Sequence, residues 1–425
     1  MRSLYTLLLT LLTPLIVLRL WLKGRELPAY RQRIGERFGR VPAAPEGVAV
    51  WVHAVSVGES LAALPLIQAL VAEHGERRVW VTTTTPTGSE RVLAALGDRV
   101  RHSYAPYDLP TVVARFLDRA RPGKVVVMET ELWPNLFGAC AKRGIPILIA
   151  NARLSPRSFK GYGRVAGFTR ATLGDTAHIA AQSPLDAERF QALGAPRVSV
   201  AGNLKFDLAI PELQLARGQR IRTLLGAGRP VWVAASTHEG EDEIALAAHL
   251  QVLKRLPEAL LILVPRHPQR FDAVAKLVGR FGLSLQRRSE LDFPQEPRPS
   301  PVSHLPSPVL LGDSMGEMLA YLEASDLAFV GGSFVPVGGH NILEPAALGK
   351  PVLFGPQMHN FLPARELLLG CEAAQELAEP GALGEAVLQL LAHPAQRQAM
   401  GEAGRAAIAA NRGALERLLQ LIAAA

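Results

Sequence analysis

Cysteine is nearly missing: 425 residues contain two, Cys140 and Cys371, far apart and without C-x-x-C spacing. That excludes a disulfide scaffold and a thiolate zinc site, and it suits a reducing compartment. The common nucleotide and metalloprotease fingerprints are absent as well. No G-x-G-x-x-G, G-x-x-x-x-G-K-[ST] or H-E-x-x-H occurs, which removes the dinucleotide-redox, P-loop and zincin readings. There is no Asp-x-Asp pair either, so no residue pattern marks a divalent-metal clamp for a pyrophosphate; the expected metal and cofactor are none. Charged residues make up 20% of the chain against 48% hydrophobic ones, which leaves little room for long disorder. Among the charges the basic side wins, with a formal net charge of +8. A polyanionic partner follows: nucleic acid, anionic lipid or a phosphorylated substrate.

The length exceeds one ordinary core, so two domains plus an appendage is the expectation. The appendage is at the N-terminus. Ser3 to Leu22 is dominated by leucine, with one charge at Arg19 and a proline at Pro14, and it is about as long as a bilayer's hydrocarbon core requires. Lys23, Arg25, Arg31, Arg33, Arg37 and Arg40 follow. Such a cationic flank stays on the cytoplasmic side and is drawn to anionic headgroups. The run ends in Trp-Leu-Lys-Gly-Arg rather than in a small-residue cleavage site, which argues for an uncleaved anchor over residues 1–24. Pro14 and Arg19 leave open whether the helix spans the membrane or lies in its interface.

Beyond residue 46, short apolar runs alternate with helical stretches: Val48–Val52, Arg78–Thr82, Lys124–Glu129, Pro146–Ala150, His178–Gln182 and Val198–Ala201. The pattern restarts at Val231–Ala235, Leu260–Val264, Pro308–Leu311, Leu327–Val330 and Pro351–Phe354. Runs apolar on both faces are what buried parallel strands look like, and their alternation with helices predicts two α/β, Rossmann-like domains facing a cleft. The expected boundaries are 25–207 for the first domain, a polar linker over 208–229, and 230–425 for the second. Gln286–Ser307, rich in Pro, Ser and Arg, reads as a surface loop. Ligands of such domains bind outside the carboxyl ends of the strands, so residues just past each run are the candidates.

Glu59, in Trp51-Val-His-Ala-Val-Ser-Val-Gly-Glu-Ser60, stands where a strand turns into a helix. A carboxylate there serves either as a general base or as a helix cap favoured by the dipole; its position alone supports both. Glu129-Thr-Glu-Leu-Trp-Pro-Asn135 offers a second carboxylate pair, Glu129 and Glu131, for sugar hydroxyls or, again, for capping the helix that Pro134 opens. Arg153, with Arg157 and Lys160, offers charge for phosphates or, more commonly for lone cations, makes a solvated face. Val264-Pro-Arg-His-Pro268 places Arg266 at a strand end, where a guanidinium grips phosphate. In Gly331-Gly-Ser-Phe-Val-Pro-Val-Gly-Gly-His-Asn-Ile-Leu-Glu344, four glycines within nine residues let backbone amides approach an anion. His340 or Asn341 is expected to cap the following helix, with Glu344 in its first turn reaching ribose hydroxyls.

Several of these segments together carry a family resemblance. His53-Ala-Val-Ser-Val-Gly-Glu59, Glu129-Thr-Glu-Leu-Trp-Pro-Asn135, Asn151-Ala-Arg-Leu-Ser155, Gly202-Asn-Leu-Lys-Phe-Asp207, Pro265-Arg-His-Pro268, Met315-Gly-Glu317 and Gly338-Gly-His-Asn-Ile-Leu-Glu344 resemble the 3-deoxy-D-manno-octulosonic acid (Kdo) transferases of lipopolysaccharide biosynthesis. The likeness runs from the anchor to the end of the chain. It implies a GT-B fold and an inverting glycosyltransferase at the cytoplasmic side of a bacterial inner membrane. CMP-Kdo is the implied donor, the tetraacyl lipid A precursor (lipid IVA) the acceptor, inner-membrane lipids the surroundings, and nucleic acid no partner. It also implies Glu59 as catalytic base and Pro265, Arg266, Met315, Gly316, Glu317, Asn341, Ile342, Leu343 and Glu344 as the residues holding CMP. Glu129, Glu131, Arg153 and Lys205 remain acceptor-side candidates.

Overall fold

The structure, a computed structural model, describes residues 1–291 and 307–425. Most of the Pro/Ser/Arg-rich segment therefore lies outside the described residues. Its first residues are not loop: Leu285–Arg287 is a strand whose Leu285 pairs with Val309.

The described residues form two α/β units. The first runs over Met1–Asp207 and Asn411–Ala425, the second over Leu208–Ala410. In the first unit the strands are β1 (Val48–His53), β2 (Val79–Thr83), β3 (Arg101–Tyr104), β4 (Pro122–Met128), β5 (Ile147–Ala152), β6 (His178–Ala181) and β7 (Val198–Val200). They pair in parallel in the order β3-β2-β1-β4-β5-β6-β7. The period-2 alternation of a strand decides what each face meets. Val50 and Val52 of β1 join Leu66, Leu70 and Val92 in one core, while Trp51 between them joins Phe116, Phe137 and Phe190 on the other side. Fully burying a side chain of this size contributes about 1.5–3 kcal/mol.

The second unit repeats the plan. Its strands are β8 (Val231–Thr237), β9 (Leu260–Pro265), β10 (Leu285–Arg287), β11 (Val309–Leu311), β12 (Leu327–Val330), β13 (Val352–Phe354) and β14 (Ala374–Glu376). All are parallel, in the order β10-β11-β9-β8-β12-β13-β14. Together the two units make a GT-B type α/β protein. In each sheet the order reverses beside the first strand, between β1 and β4 and between β8 and β12. Those two points are where open α/β sheets bind ligands.

Strands β3, β10 and β14 lie outside the runs expected from sequence, and all three are sheet edges. An edge strand needs little apolar sequence, and Arg-His-Ser-Tyr, Leu-Gln-Arg and Ala-Gln-Glu show none of the continuous apolarity of a buried one.

The units also divide differently from the expected domains. The segment read as a linker contains the Glu212–Leu225 helix, whose Ile221 and Leu225 are fully buried with Tyr321 in the second unit's core. The last helix, Ala414–Ala424, returns to the first unit, where Ala414, Leu418 and Ile422 join the core. Asp207 holds that return: its two carboxylate oxygens accept the Gly413 and Leu415 N–H groups, each at 2.6 Å. A polar composition concealed the first helix, and no local signal marks a helix that packs some two hundred residues upstream.

The N-terminal run forms a single helix, Arg2–Lys23, with no buried residue. By length and composition it is able to cross a membrane.

Candidate functional site

In the first unit, β1 ends at His53 and the chain turns into the Val57–His74 helix with Ser56 as N-cap. The Ser56 hydroxyl accepts the Glu59 N–H at 3.2 Å. The Glu59 carboxylate reaches back, Oε2 accepting the Val55 N–H at 2.8 Å and Oε1 the Ser56 N–H at 3.3 Å. This is a capping box, worth about 1 kcal/mol. A carboxylate has about four acceptor positions, and the box uses two of them. Glu59 is 7% exposed.

Across the switch point, Glu129 is the first residue past β4 and has φ 56°. A non-glycine residue in the left-handed region costs roughly 1–3 kcal/mol and persists only where its surroundings impose it. Burial pushes the Glu129 carboxyl up from its ordinary range, and the charge of Glu59 adds to this, while Lys205 and Arg153 pull it back. Glu131 is raised as well, first by burial. The fold thus brings Glu59, Glu129 and Glu131 within one another's fields, with Arg153 and Lys205 acting on Glu129.

Neither Glu129 nor Glu131 caps the Pro134–Lys142 helix. Asp108 does, its oxygens accepting the Asn135 N–H at 3.0 Å and the Leu136 N–H at 2.7 Å. Glu131 instead accepts the Trp133 indole N–H at 3.0 Å. The Trp133 ring meets the His53 imidazole edge to face, 4.6 Å between centroids. His53 is fully buried, pushed down to about 4 by desolvation and hence neutral, with Nδ1 2.8 Å from the Thr82 hydroxyl.

Asn151 sits at a register shift in β5, also in the left-handed region at φ 55°. Its Oδ1 accepts the Leu204 N–H at 3.0 Å and its carbonyl accepts the Gln182 amide at 2.9 Å. Gln182 in turn accepts from Asn203, whose Oδ1 takes the Lys205 N–H at 3.0 Å. This chain carries Lys205 to the strand ends and accounts for the Gly202–Asp207 segment. The Asn151 Nδ2 is buried with no partner among the described residues.

The second unit sets an arginine and three histidines at its strand ends. Arg266 follows β9; its N–H donates to the Thr237 carbonyl at 3.0 Å. His238 and His340 face each other with Nε2 atoms 2.7 Å apart and nearly parallel rings, and His267 lies edge-on to His238. One proton between two such nitrogens satisfies both, and a second would turn one ring into a cation and set two N–H groups against each other. Burial pushes His340 down to about 4, and His238, Arg266 and His267 add to the effect. Burial also lowers His238, with His267, Arg270 and Arg266 acting the same way against Glu241.

The Gly-rich loop is used differently from the expected phosphate cradle. The fully buried Glu241, in the first turn of the Glu241–Leu253 helix, accepts the N–H groups of Gly332, Ser333 and Phe334 at 2.6, 3.0 and 3.0 Å, and that of His238 at 3.0 Å. The protein's own carboxylate fills that amide nest. Glycine at 338 and 339 answers to packing: at φ 101° and 79°, a Cβ would meet Asn360 at 2.4 Å and the Met358 sulfur at 2.3 Å respectively. His340 does not cap the next helix. Asn341 does, its Oδ1 accepting the Leu343 N–H at 3.1 Å and its amide donating to Glu344 at 3.0 Å. That helix, Leu343–Ala347, is five residues long, so few peptide dipoles add up at its start. Burial raises the Glu344 carboxyl.

Glu317 is 5% exposed and already engaged, with Arg217 at 2.8 Å, Arg288 at 2.9 Å and the Ser314 hydroxyl. Met315 beside it is 61% exposed, and Gly316 at φ 77° accepts from Gln214 at 3.0 Å. Gly312-Asp-Ser-Met-Gly316 has the G-x-S-x-G spacing of a hydrolase elbow. Its serine is tied to Glu317 and Tyr321, with no histidine among its bonded partners, so the spacing carries no nucleophile. Pro265 ends β9 and Arg266 follows it, Met315 to Glu317 follow β11 and Asn341 to Glu344 follow β12. All stand at the carboxyl edge of one sheet.

Sequence reading passed over Ser236-Thr-His-Glu-Gly-Glu241. The signal was there: a strand running into a turn with a glutamate in the next helix, as at Glu59. Ser236, at φ 57° and a register shift in β8, marks the spot structurally.

With this geometry in hand, comparison with known proteins gives consistent matches. Residues 32–208 match a family model described as 3-Deoxy-D-manno-octulosonic-acid transferase (kdotransferase). The chain is 42% identical to a 3-deoxy-D-manno-octulosonic acid transferase of Haemophilus influenzae, over 99% of this chain and 98% of that one. It is 42% identical to the enzyme of that name from Bordetella pertussis, again over 99% and 98%. Among solved structures, a UDP-GlcNAc 2-epimerase from Neisseria meningitidis aligns over 89% of this chain and 100% of its own, with TM-score 0.56 and 16% identity. That last likeness speaks for the fold alone.

Proposed function

The chain belongs to the 3-deoxy-D-manno-octulosonic acid transferase family and is a Kdo transferase, and from that premise we propose CMP-Kdo as its donor and the tetraacyl lipid A precursor, lipid IVA, as its acceptor, with inversion at the anomeric carbon. The observation that carries the reading is the carboxylate cluster at the β1/β4 switch point. Glu59 uses two acceptor positions for its own backbone and keeps others for a hydroxyl proton. As an acceptor hydroxyl attacks the anomeric carbon of Kdo, its proton passes to Glu59. The bond from that carbon to the phosphate oxygen breaks, and CMP leaves with the electron pair. Arg153 and Lys205 offset the carboxylates' charge and suit a bisphosphorylated acceptor.

In the second unit, Arg266 and the histidines about it meet the departing phosphate, and electrostatic stabilisation of that developing charge is the largest effect available to the site. Pro265, Met315, Gly316 and Asn341 to Glu344 line the nucleoside side. Glu317 holds the Ser314–Glu317 turn through its arginine pairs. CMP leaves through a single phosphate, so less charge develops than on a pyrophosphate and the reaction proceeds without a metal clamp. The enzyme works at the cytoplasmic side of the inner membrane, where its amphiphilic acceptor is presented.

Incubating the full chain with CMP-Kdo and lipid IVA, then weighing the lipid product, tests this. A mass gain of one or more Kdo residues, with no transfer from UDP-sugars, is expected. Transfer from a UDP-sugar and none from CMP-Kdo would overturn the donor.

A further inference from the structure

A helix that crosses a bilayer has its ends on opposite sides of about 30 Å of hydrocarbon. The Arg2–Lys23 helix has both ends fastened to the same α/β unit. At its first turn, Arg2 pairs with Asp175 at 2.6 Å, just past the Ala166–Gly174 helix. Thr6 donates to the Asn135 side chain at 3.0 Å, and the Tyr5 ring lies 5.9 Å from that of Phe168. At its other end, Arg31 donates to the Trp21 carbonyl at 3.0 Å and lies over the Trp21 ring at 4.4 Å, while Lys23 sits over Tyr30. The chain then fastens again: Arg33 donates to Ser89 at 3.1 Å and Arg37 to the Thr84 carbonyl at 2.9 Å.

Between these ends the helix is two-faced. Arg2, Thr6, Leu9, Thr13, Ile16 and Leu20 are half-buried, at spacings of four and three residues. Leu4, Leu8, Leu11, Leu15, Leu18 and Leu22 follow the same spacing two positions on, half a turn away, and are 46–65% exposed. This bare stripe ends among cations, Arg19, Lys23, Arg25 and Arg31. Near the Arg2 end, Phe168 leads back to Arg157, Lys160 and Arg164, all exposed. An apolar stripe flanked by cations fits the boundary between anionic headgroups and acyl chains.

We propose that this helix does not cross the membrane but lies in its plane, pinned at both ends to the first unit, with the Leu4-to-Leu22 stripe sunk into one leaflet of an anionic bilayer. The catalytic unit is then held with a fixed side toward the surface, and Ser3 stays on the same face of the membrane as the sheet.

Single cysteines at Leu4, Leu11 and Leu18, in full-length protein carrying Cys371→Ser, decide it; the remaining Cys140 is buried. Each is labelled with an environment-sensitive fluorophore and mixed with vesicles of phosphatidylcholine and phosphatidylglycerol containing spin-labelled lipids of graded depth. In-plane binding gives one shallow depth at all three sites, at most about 5–10 Å into the boundary, and weaker binding without phosphatidylglycerol. A spanning helix gives Leu11 deepest and places a cysteine at Ser3 within reach of impermeant maleimide only from the face opposite the sheet. That result overturns the proposal. So does unquenched dye with Leu11→Cys cross-linking between copies, which makes a second chain the occupant.

Discussion

The two units have the same sheet, the same reversal of strand order beside the first strand, and a glutamate in the first turn of the first helix. They use that glutamate differently. Glu59 turns back on its own turn, binding Val55 and Ser56. Glu241 reaches across the switch point to the β12 loop, binding Gly332, Ser333 and Phe334, and is fully buried. The remaining strand ends differ in composition: Glu129 and Glu131 with Arg153 and Lys205 near them in the first unit, Arg266 among His238, His267 and His340 in the second. One fold thus carries a carboxylate cluster at the strand ends of one unit and an arginine among imidazoles at those of the other. The topology supplies the place, and the residue past each strand supplies the chemistry.

The largest expected effect separates the two glutamates. Glu59→Gln keeps the shape and one of the two back-bonds of the capping box but cannot take the proton, so turnover should fall roughly 10²–10⁴-fold while stability falls by no more than the box's worth of about 1 kcal/mol. A folded variant with near wild-type turnover would reduce Glu59 to its capping box, whose loss costs about 1 kcal/mol. Glu241→Gln should give the opposite pattern. Its amide nitrogen would face two of the four buried N–H groups, and losing two charge-assisted bonds costs on the order of 3–6 kcal/mol. Urea unfolding should show this loss, and an unchanged midpoint would contradict the clamp.

Arg266→Ala comes next. Losing a charge-assisted phosphate bond costs about 1.5–3 kcal/mol, roughly ten- to a hundred-fold in affinity. Calorimetry with CMP should record it, whereas Arg153→Ala in the first unit should leave CMP affinity unchanged. Equal losses in both variants would erase the division of labour.

The smallest effect tests what the units share. His53 and His102 in the first, and His249 and His340 in the second, are pushed down to about 4, 3, 4 and 4, chiefly by burial. The unfolded chain takes up their protons near pH 6.5 and the folded chain does not. Their contribution is therefore complete above that pH and lost as the pH falls toward 4. Glu129, Glu131 and Glu344 act the other way, because protonation relieves their burial, but only nearer the ordinary carboxylate range. The Tm should be flat from pH 8 to about 6.5 and fall below it. His53→Gln and His249→Gln should each flatten part of that fall, and a slope unchanged in both would remove burial as its cause.

Much of this was legible in the chain. Ten strands announced themselves because a strand covered on both faces must be apolar throughout, and the edge strand β7 because its Val198 and Val200 keep it apolar; the polar edges β3, β10 and β14 had no such obligation. Glu59, Glu129 and Arg266 were found because they follow apolar runs, which is where a parallel sheet exposes its chemistry. His238 and Glu241 were overlooked, although Ser236–Glu241 repeats the strand-turn-glutamate pattern of the first unit. The Gly-rich loop is ambiguous in sequence for a physical reason. Glycines that admit a phosphate and glycines that admit a neighbouring Met358 or Glu241 are the same letter in a sequence.

By itself the sequence determined the class of fold, the apolar N-terminal helix and the strand-end residues, since each depends on the chemistry of a short window. Only the tertiary structure decided who bonds whom. It showed that Asp108 rather than Glu131 caps the Pro134–Lys142 helix, that Glu241 fills the amide nest, and that the last helix folds back onto Asp207. It also showed that Arg2 meets Asp175 across 173 residues of chain. A hydrogen bond is made between groups a few ångströms apart, and separation along the chain holds no record of that distance.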